Sequence, residues 1–306
     1  MKHMRTVFFC LVLFFCVMLS GVSHVRYELS IQTSKFYSYG EKRIYPPFSR
    51  KMKIAFLKVG QGDAALVTLP NGRNMLIDGG PPEAGELIVH KLVQRGIKSL
   101  DLIVSTHPDI DHIGGLITVI QQLPVSMVLD SGKQYYSLTY RMYVKTIRKR
   151  NIPFIPAKEG QFLPLDPNVL IQVLNNGKAK QRNNESSIVL KIRYKKADFL
   201  LMGDADTKTE KEILDKYPHL HADVLKIGHH GSYTSSSKAF LQRTGPPFVV
   251  ISYEKGNPYG HPHRSVMKRL HRYGMQIYTT ALRDVVFQTD GNSIEIQNGL
   301  PLPLLR

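Results

Sequence analysis

Thr106-His107-Pro108-Asp109-Ile110-Asp111-His112-Ile113-Gly114-Gly115 places four groups able to ligate a divalent cation, His107, Asp109, Asp111 and His112, in a span of six residues. They follow the apolar run Leu102-Ile103-Val104 and stop at two glycines, the pattern of a strand that opens into a loop. Imidazole and carboxylate are groups that divalent cations select, and ligands this close in sequence can share one or two ions without long-range folding. Proteins of the α/β class put their chemistry at strand ends of this kind. Taken singly, each residue also has a structural reading: His107 and Asp111 as hydrogen-bonding groups of a polar loop, Asp109 as a helix cap. All four together, with partners further along the chain, point to a metal site.

On either side of this stretch, short strands and helices alternate. Ile54-Ala55-Phe56-Leu57 and Ala64-Ala65-Leu66-Val67 are strand-like, and Asn71-Gly72 marks a hairpin turn before Asn74-Met75-Leu76-Ile77. Periodicity predicts a helix from Glu83 to Arg95 with Leu87, Ile88, Leu92 and Val93 on its inner side. Another runs from Gly115 to Gln122, followed by a strand from Val125 to Leu129. A helix from Tyr136 to Arg150 places Tyr136, Tyr140, Tyr143 and Ile147 on one face, a stripe that reads as core. The second half repeats the logic, with strands at Val169 to Leu174, Ile188 to Tyr194, Phe199 to Met202, Val224 to Ile227 and Phe248 to Ser252. Helices at Lys208 to Lys216, Ser236 to Arg243 and Ser265 to Tyr273 alternate with them, and final strands fall near Val285 to Phe287 and Ile294 to Ile296.

Three more strand or loop ends in that half carry ligand chemistry: Gly203-Asp204, Gly228-His229-His230-Gly231-Ser232 and Tyr259-Gly260-His261-Pro262-His263. Each alone is weak, since an Asp after a strand is often a cap. Together with the first cluster they form a dispersed His/Asp set, and a site between two sheets follows naturally from it.

Composition narrows the chemistry further. The chain has 306 residues, enough for one large domain or two small ones, and 42% are hydrophobic, enough for a sizeable core. Both cysteines, Cys10 and Cys16, lie in the apolar run Thr6 to Val22 that follows Lys2 and Arg5. That run reads as a secretory signal with a cleavage site near Gly21-Val22-Ser23, or as an uncleaved anchor formed by residues 6–22, so a secreted or extracytoplasmic place is expected. Residues 24–50 read as a linker or surface arm, and 51–306 as the domain that carries the His/Asp clusters. The remainder has no cysteine, which excludes disulfides, Cys-ligated zinc and thiol nucleophiles. It keeps 39 basic against 24 acidic residues. Such a charge attracts nucleic acid or another polyanion, and equally an anionic cell envelope. Arg141, Lys145, Arg148, Lys149 and Arg150 crowd one segment, and Lys178, Lys180 and Arg182 another, with no Trp and no alternation of aromatic and basic residues.

The order of these blocks resembles the metallo-β-lactamase superfamily, specifically the extracellular hydrolase domain of ComEC-type competence proteins and their stand-alone relatives. The resemblance runs from about Lys53 to Gln288. It is carried by Val59-Gly60-Gln61-Gly62-Asp63-Ala64, Ile77-Asp78-Gly79-Gly80, the Ser105 to Gly115 block, Gly203-Asp204, His229-His230-Gly231-Ser232 and Tyr259-Gly260-His261-Pro262-His263. The fold it implies is α/β, a four-layer αββα sandwich with a metal centre along one edge. The multi-span channel of the full competence protein has no counterpart here, so no transmembrane channel domain is expected. The resemblance assigns His107 and Asp109 to one ion, Asp111 and His112 to the other, and Asp204 to a bridge. His229 is the preferred remaining ligand of the second ion, with His230 next. The usual second motif has His where Asp109 stands, and a third-motif His is replaced by Asn183-Asn184, which weakens the hold on the first ion.

One or two divalent ions, Mn²⁺ or Zn²⁺, are therefore the expected cofactors, supplying hydroxide from bound water. Asp111 is the catalytic candidate that orients it, and His261, ranked above His263, the one that donates to a leaving group. Asp63, Asp78 and Asn184 are expected around the ligands, although Asp78 could equally serve to close the Gly79-Gly80 turn. Ser232, Ser235 and Ser236, with Thr234 among them, suit a phosphate oxygen before a helix, or else simple helix capping. The expected function is that of an exported metal-dependent phosphodiesterase or nuclease acting on extracellular nucleic acid. The alternatives are a hydrolase of a small ester, lactone or phosphorylated cell-envelope component, and a non-catalytic nucleic-acid-binding module. The fold alone does not choose among them.

Overall fold

A computed structural model of the protein describes residues 51–176, 182–299 and 301–302. The expected signal or anchor (1–23), the arm (24–50), and Lys178 and Lys180 lie outside the described residues. Among those described, no helix is long and apolar enough to cross a membrane.

The chain opens with antiparallel strands β1 (Met52–Phe56), β2 (Ala65–Thr68) and β3 (Asn74–Ile77). Parallel pairing then carries the sheet through β4 (Leu102–Ser105), β5 (Val128–Asp130) and β6 (Phe154–Pro156). Late strands β13 (Val285–Thr289) and β14 (Ile294–Asn298) return to the other side of β1, giving the order β14-β13-β1-β2-β3-β4-β5-β6. The second sheet has the order β12-β11-β10-β9-β8-β7, from β7 (Val169–Asn175), β8 (Val189–Tyr194), β9 (Ala197–Leu201), β10 (Val224–Lys226), β11 (Phe248–Ile251) and β12 (Gln276–Thr279). β7, β8 and β9 are antiparallel and β9 to β12 parallel, so the two sheets follow the same plan.

Helices cover the outer face of each sheet. On the first sheet lie α1 (Gly85–Gln94), the one-turn α2 (Ile110–Ile113), α3 (Leu116–Gln122) and α4 (Leu138–Lys149). Their Ile88, Leu92, Leu116, Val119, Tyr143 and Ile147 share one core with Ala55, Leu66, Leu76 and Ile103. On the second sheet α5 (Thr207–Lys216), α6 (Lys238–Thr244) and α7 (Arg264–Arg272) bury Ile213, Phe240, Leu241, Val266 and Leu270 against Leu200, Leu225 and Val249. The inner faces meet around Phe287 of β13, whose ring lies 6.2 Å from Phe56, 6.4 Å from Phe199, 6.0 Å from Phe248 and 5.8 Å from Tyr278. Strands covered on both faces read as unbroken apolar runs, and β4 and β9 are buried throughout. This is the αββα sandwich that the resemblance implies.

Some local expectations need correction. In α1 the buried stripe is Ile88, Val89 and Leu92, while Leu87 is 43% and Val93 57% exposed, because each sits a helical step outside that stripe. The basic helix α4 starts only at Leu138, where the Ser137 hydroxyl accepts the Tyr140 N–H at 3.1 Å. Tyr136 precedes the helix and is 88% exposed, so it leaves the predicted core stripe of Tyr140, Tyr143 and Ile147. Three-residue β6 and one-turn α2 carry too little periodicity to be seen in advance.

Candidate metal centre

The parallel strands of both sheets deliver their carboxyl ends to one edge of the sandwich. His107 and the α2 residues Asp111 and His112 follow β4, Asp204 follows β9, His229 and His230 follow β10, and the loop bearing His261 follows β11. Two backbone devices draw these loops together. A Cβ on Gly115 would stand 2.1 Å from the Gly79 carbonyl oxygen, so only glycine lets the α2–α3 corner press onto the turn after β3. A Cβ on Gly231 would lie 2.7 Å from Pro262 Cβ, so glycine there admits the His261 loop against the histidine pair. Asp78, His229 and His230 adopt positive φ, an uncommon conformation for side-chain-bearing residues that clusters at functional sites.

Asp204 is the hub. His112 Nε2 lies 3.3 Å from its Oδ1, and the Nε2 atoms of His107, His229 and His230 lie 3.8, 3.7 and 3.7 Å from its Oδ2. On one side His107 Nε2 also approaches Asp109 Oδ2 at 3.4 Å. On the other, Asp111 Oδ2 stands 3.2 Å from His230 Nε2 and 4.0 Å from His112 Nε2. Among the overlapping donor groups that result are His107/His112/Asp204 and Asp111/His112/His230, each with its ligand atoms within 4.8 Å of one another.

The surrounding hydrogen bonds fix which nitrogen of each ring faces this space. The Nδ1–H of His230 donates to the Ser252 carbonyl at 3.0 Å, and that of His112 to Asp78 Oδ2 at 2.9 Å. Thr106 Oγ1 gives its proton to Asp78 Oδ2 at 2.7 Å, leaving its lone pairs for His107 Nδ1 at 3.1 Å. In all three rings the Nε2 lone pair therefore turns inward. His107 Nε2, His112 Nε2, His230 Nε2 and Asp204 Oδ1 are buried and make no hydrogen bond. Buried polar atoms without partners are costly, and four converging on one space fit a divalent cation.

Electrostatics agree with that fit. Burial disfavours a charged His112, but Asp204, Asp78 and Asp111 outweigh it and raise its pKa well above the usual imidazole range. His230 is raised for the same reason by Asp204 and Asp111 against burial. Burial would likewise raise Asp111, yet His112 and His230 bring it down to about 2, and Asp204 falls well below the carboxylate range beside His112 and His230. The carboxylates thus create a place for positive charge, for which protons and a metal ion compete. His261 behaves oppositely: burial and the neighbouring His229 and His230 lower it to about 4, leaving a neutral ring at pH 7.

Of the residues expected at the site, His107, Asp109, Asp111, His112, Asp204, His229 and His230 come together. His230, 1% exposed, completes the group with Asp111 and His112, so the preference for His229 is reversed. His229 lies instead between Asn184 Nδ2, at 3.2 Å, and Thr234 Oγ1, at 3.1 Å. Asp63 Oδ2 pairs with the buried Lys226 at 2.9 Å, and its Oδ1 is 3.6 Å from His230 Nδ1. Asp78 supports His112 and also ties the end of β3 to the end of β4 by accepting the Thr106 N–H at 2.8 Å. Asp109 holds the cap position of α2 without capping it; its carboxylate accepts from Asn183 Nδ2 at 2.6 Å.

Corrections follow for the hydroxyls. Ser232, Ser235 and Ser236 are buried. Ser232 Oγ is 3.0 Å from Thr234 Oγ1, Ser235 Oγ donates to the Gly228 carbonyl at 2.7 Å, and Ser236 N donates to Glu210. None faces the cleft, and α6 is capped by Ser237, which accepts the Phe240 N–H. The serine and threonine that do line the cleft, a cavity of about 400 Å³, are Ser137 and Thr139 at the start of α4, beside Tyr135 and Tyr259. His261 lines it too, whereas His263 caps α7. Sequence reading also missed Lys226, whose one signal was a lysine inside an apolar strand, and Ser187, whose Oγ accepts the Asp204 N–H at 3.0 Å.

The profile of the metallo-beta-lactamase superfamily matches residues 57–254. Curated relatives include ComE operon protein 3 of Bacillus subtilis, 29% identical over 254 residues, covering 78% of this chain and 33% of that protein. Recombination protein 2 of Haemophilus influenzae is 32% identical, covering 74% of this chain and 27% of its own length. Competence protein ComA of Neisseria gonorrhoeae is also 32% identical, covering 73% and 30%. The chain thus spans about a third of the length of these relatives. Among solved structures, the CmlA beta-hydroxylase E377D mutant aligns with a TM-score of 0.51 at 13% identity, covering 80% of this chain and 55% of that one. The metallo-beta-lactamase fold protein YhfI from Bacillus subtilis gives 0.50 at 13%, covering 78% and 100%. These two speak for the fold. The strand-end His/Asp centre, the αββα layers and the match over most of the described residues have one reading: this chain belongs to the metallo-β-lactamase superfamily, as a ComEC-like metallohydrolase domain.

Proposed function

We propose that the protein is a metal-dependent phosphodiesterase that is exported and cleaves nucleic acid outside the cytoplasm. The observation that carries the reading is the set of inward-turned, unpartnered Nε2 atoms of His107, His112 and His230 around Asp204, at the floor of an open cleft. A divalent ion bound there, Mn²⁺ or Zn²⁺, supplies an acidified water and a counter-charge for phosphoryl oxygens. His107, His112, Asp204, Asp111 and His230 would hold it, with Asp109 beside His107.

The chain's own groups do the rest. Asp111, held ionised and about 29% exposed, faces both His230 and the cleft, and its free lone pairs can orient water by accepting a hydrogen bond from it. His261 lines the cleft and is neutral at pH 7, so its ring can hydrogen-bond to a leaving oxygen without adding charge. Ser137 and Thr139 offer hydroxyls to the non-bridging oxygens. Net charge and the competence and recombination names of the relatives favour nucleic acid over a small ester or lactone. The export part of the reading rests on the apolar run after Lys2 and Arg5.

The test is cleavage of labelled single- and double-stranded DNA and RNA by the purified chain, metal-free and then with Mn²⁺ or Zn²⁺, beside Asp111→Asn and Asp204→Asn. Metal-dependent cleavage lost in both variants supports the reading. Bound metal without cleavage of any strand would sink it and shift the weight to ester and lactone substrates.

A further inference from the structure

Beside the metal centre lies a second, larger groove of about 680 Å³ along α4. The two cavities share Tyr135, so the groove adjoins the cleft lined by Asp111 and Asp204. Its cationic wall is Arg141, Lys145 and Arg148, exposed residues at i, i+4 and i+7 on one side of the helix, spanning about 10 Å at 1.5 Å per residue. No acidic residue occurs in α4, and among the described residues none forms an ion pair with these three. The lining's one carboxylate, Asp130, is 1% exposed at the floor and accepts the Gly132 N–H at 2.7 Å.

The same groove gathers aromatic rings that the sequence scatters. Tyr135 and Phe154 are each 38% exposed and Tyr136 88%, contributed by the loop before α4 and by edge strand β6. Phe154 stands edge-on to Tyr143 at 6.2 Å, which anchors it from beneath. Unburied tyrosine and phenylalanine next to unpaired cations are the two halves of a single-strand binding surface: rings stack on unpaired bases of any sequence, and cations follow the phosphates. A duplex would offer the phosphates but hide its base faces.

We propose that the α4 groove is the track for a single strand of nucleic acid. Phosphates lie along Arg141, Lys145 and Arg148, bases stack on Tyr136, Tyr135 and Phe154, and the strand passes Tyr135 into the metal centre. This rests on the phosphodiesterase reading only for its direction; the binding stands apart from the chemistry.

The experiment is fluorescence anisotropy of a labelled oligothymidylate with the full chain in EDTA, over a range of salt concentrations, with a matched duplex alongside. The triple variant R141A/K145A/R148A should reduce the slope of log affinity against log salt by about 2, at roughly 0.7 per phosphate contact. Tyr136→Ala should weaken single-strand binding about five-fold or more at every salt concentration and leave duplex binding unchanged. The control K238A/K268A/R272A removes equal charge from exposed positions on α6 and α7 and should leave the slope near that of the unmodified chain. Equal losses in both triple variants, or duplex binding as tight as single-strand binding and indifferent to Tyr136, would overturn the proposal. Groove-dependent binding without cleavage when metal is restored would leave the track standing and remove the phosphodiesterase. Cleavage of single strands unaffected by the groove variants would do the reverse.

Discussion

Asp78→Asn separates a metal-supporting role for this residue from a purely structural one. The wild-type carboxylate accepts three hydrogen bonds, from Thr106 N at 2.8 Å, Thr106 Oγ1 at 2.7 Å and His112 Nδ1 at 2.9 Å. The amide keeps size and the strained positive φ, which Asn tolerates, but has one acceptor and turns two donors towards neighbours that themselves donate. Relief comes when His112 moves its proton to Nε2, the nitrogen that faces Asp204 at 3.3 Å. A protonated Nε2 cannot ligate. Losing such a supporting contact lowers metal affinity about 10- to 100-fold, or about 1.4–2.7 kcal/mol. The assay is Zn²⁺ or Mn²⁺ titration calorimetry on the metal-stripped chain, with thermal unfolding in EDTA and in excess metal. The variant should unfold earlier in EDTA, by about 1–3 kcal/mol for the mismatched buried donors, and should gain less from metal than wild type. A variant with wild-type metal affinity and only lower stability in EDTA would refute the tautomer argument and leave Asp78 as a clasp between the ends of β3 and β4.

Asp284, 8% exposed, accepts from Lys58 N at 2.8 Å, Lys91 Nζ at 2.7 Å and Arg95 Nη2 at 2.6 Å; Asp284→Ala should cost about 2 kcal/mol in urea unfolding. Burial opposes its charge, but those donors outweigh burial and lower its pKa, so its contribution is present above the unfolded carboxylate pKa and is lost as pH falls through the lower folded value. Asp130 is the opposite case: burial raises it to about 6 from 3.8, so the fold holds a proton that the unfolded chain has released, and stability falls as pH rises between those values. Asp130→Asn keeps an acceptor for Gly132 N–H and, measured against wild type, should gain about 3 kcal/mol between pH 3 and pH 7; parallel curves would show that Asp130 titrates normally. Gly115→Ala, with its Cβ 2.1 Å from the Gly79 oxygen, should cost about 3 kcal/mol or more and reduce metal retention, read by unfolding and by metal content after gel filtration; a fully stable, metal-loaded variant would show that the corner can move apart.

Much of the centre was legible because its constraints are local. Divalent cations demand imidazole and carboxylate, and parallel strands must end in loops that can aim them, so His107, Asp111, His112 and Asp204 stand out beside their apolar runs. Helices α5 and α7 were legible for the same kind of reason, since their apolar spacing is helical and their ends are polar. Tyr136 and Leu87 misled because periodicity says which residues share a face but not where a helix begins or how far its buried stripe extends. The serines after His230 misled because a hydroxyl before a helix looks alike whether it faces solvent or the backbone; here Ser235 and Ser232 are committed inward.

By itself, then, the sequence determined the class of fold, the ligand chemistry and the exclusion of cysteine, each a matter of residue type and nearest neighbours. Tertiary structure alone decided that His230 rather than His229 joins Asp111, that Lys226 sits buried against Asp63, and that Phe154 and Tyr136 meet the basic side of α4. These outcomes depend on which distant segments two packed sheets bring to one edge, and on backbone turns such as the positive φ of His229 and His230, which aim neighbouring side chains in different directions. No spacing along the chain encodes that aim, because it is set by contacts across the sandwich.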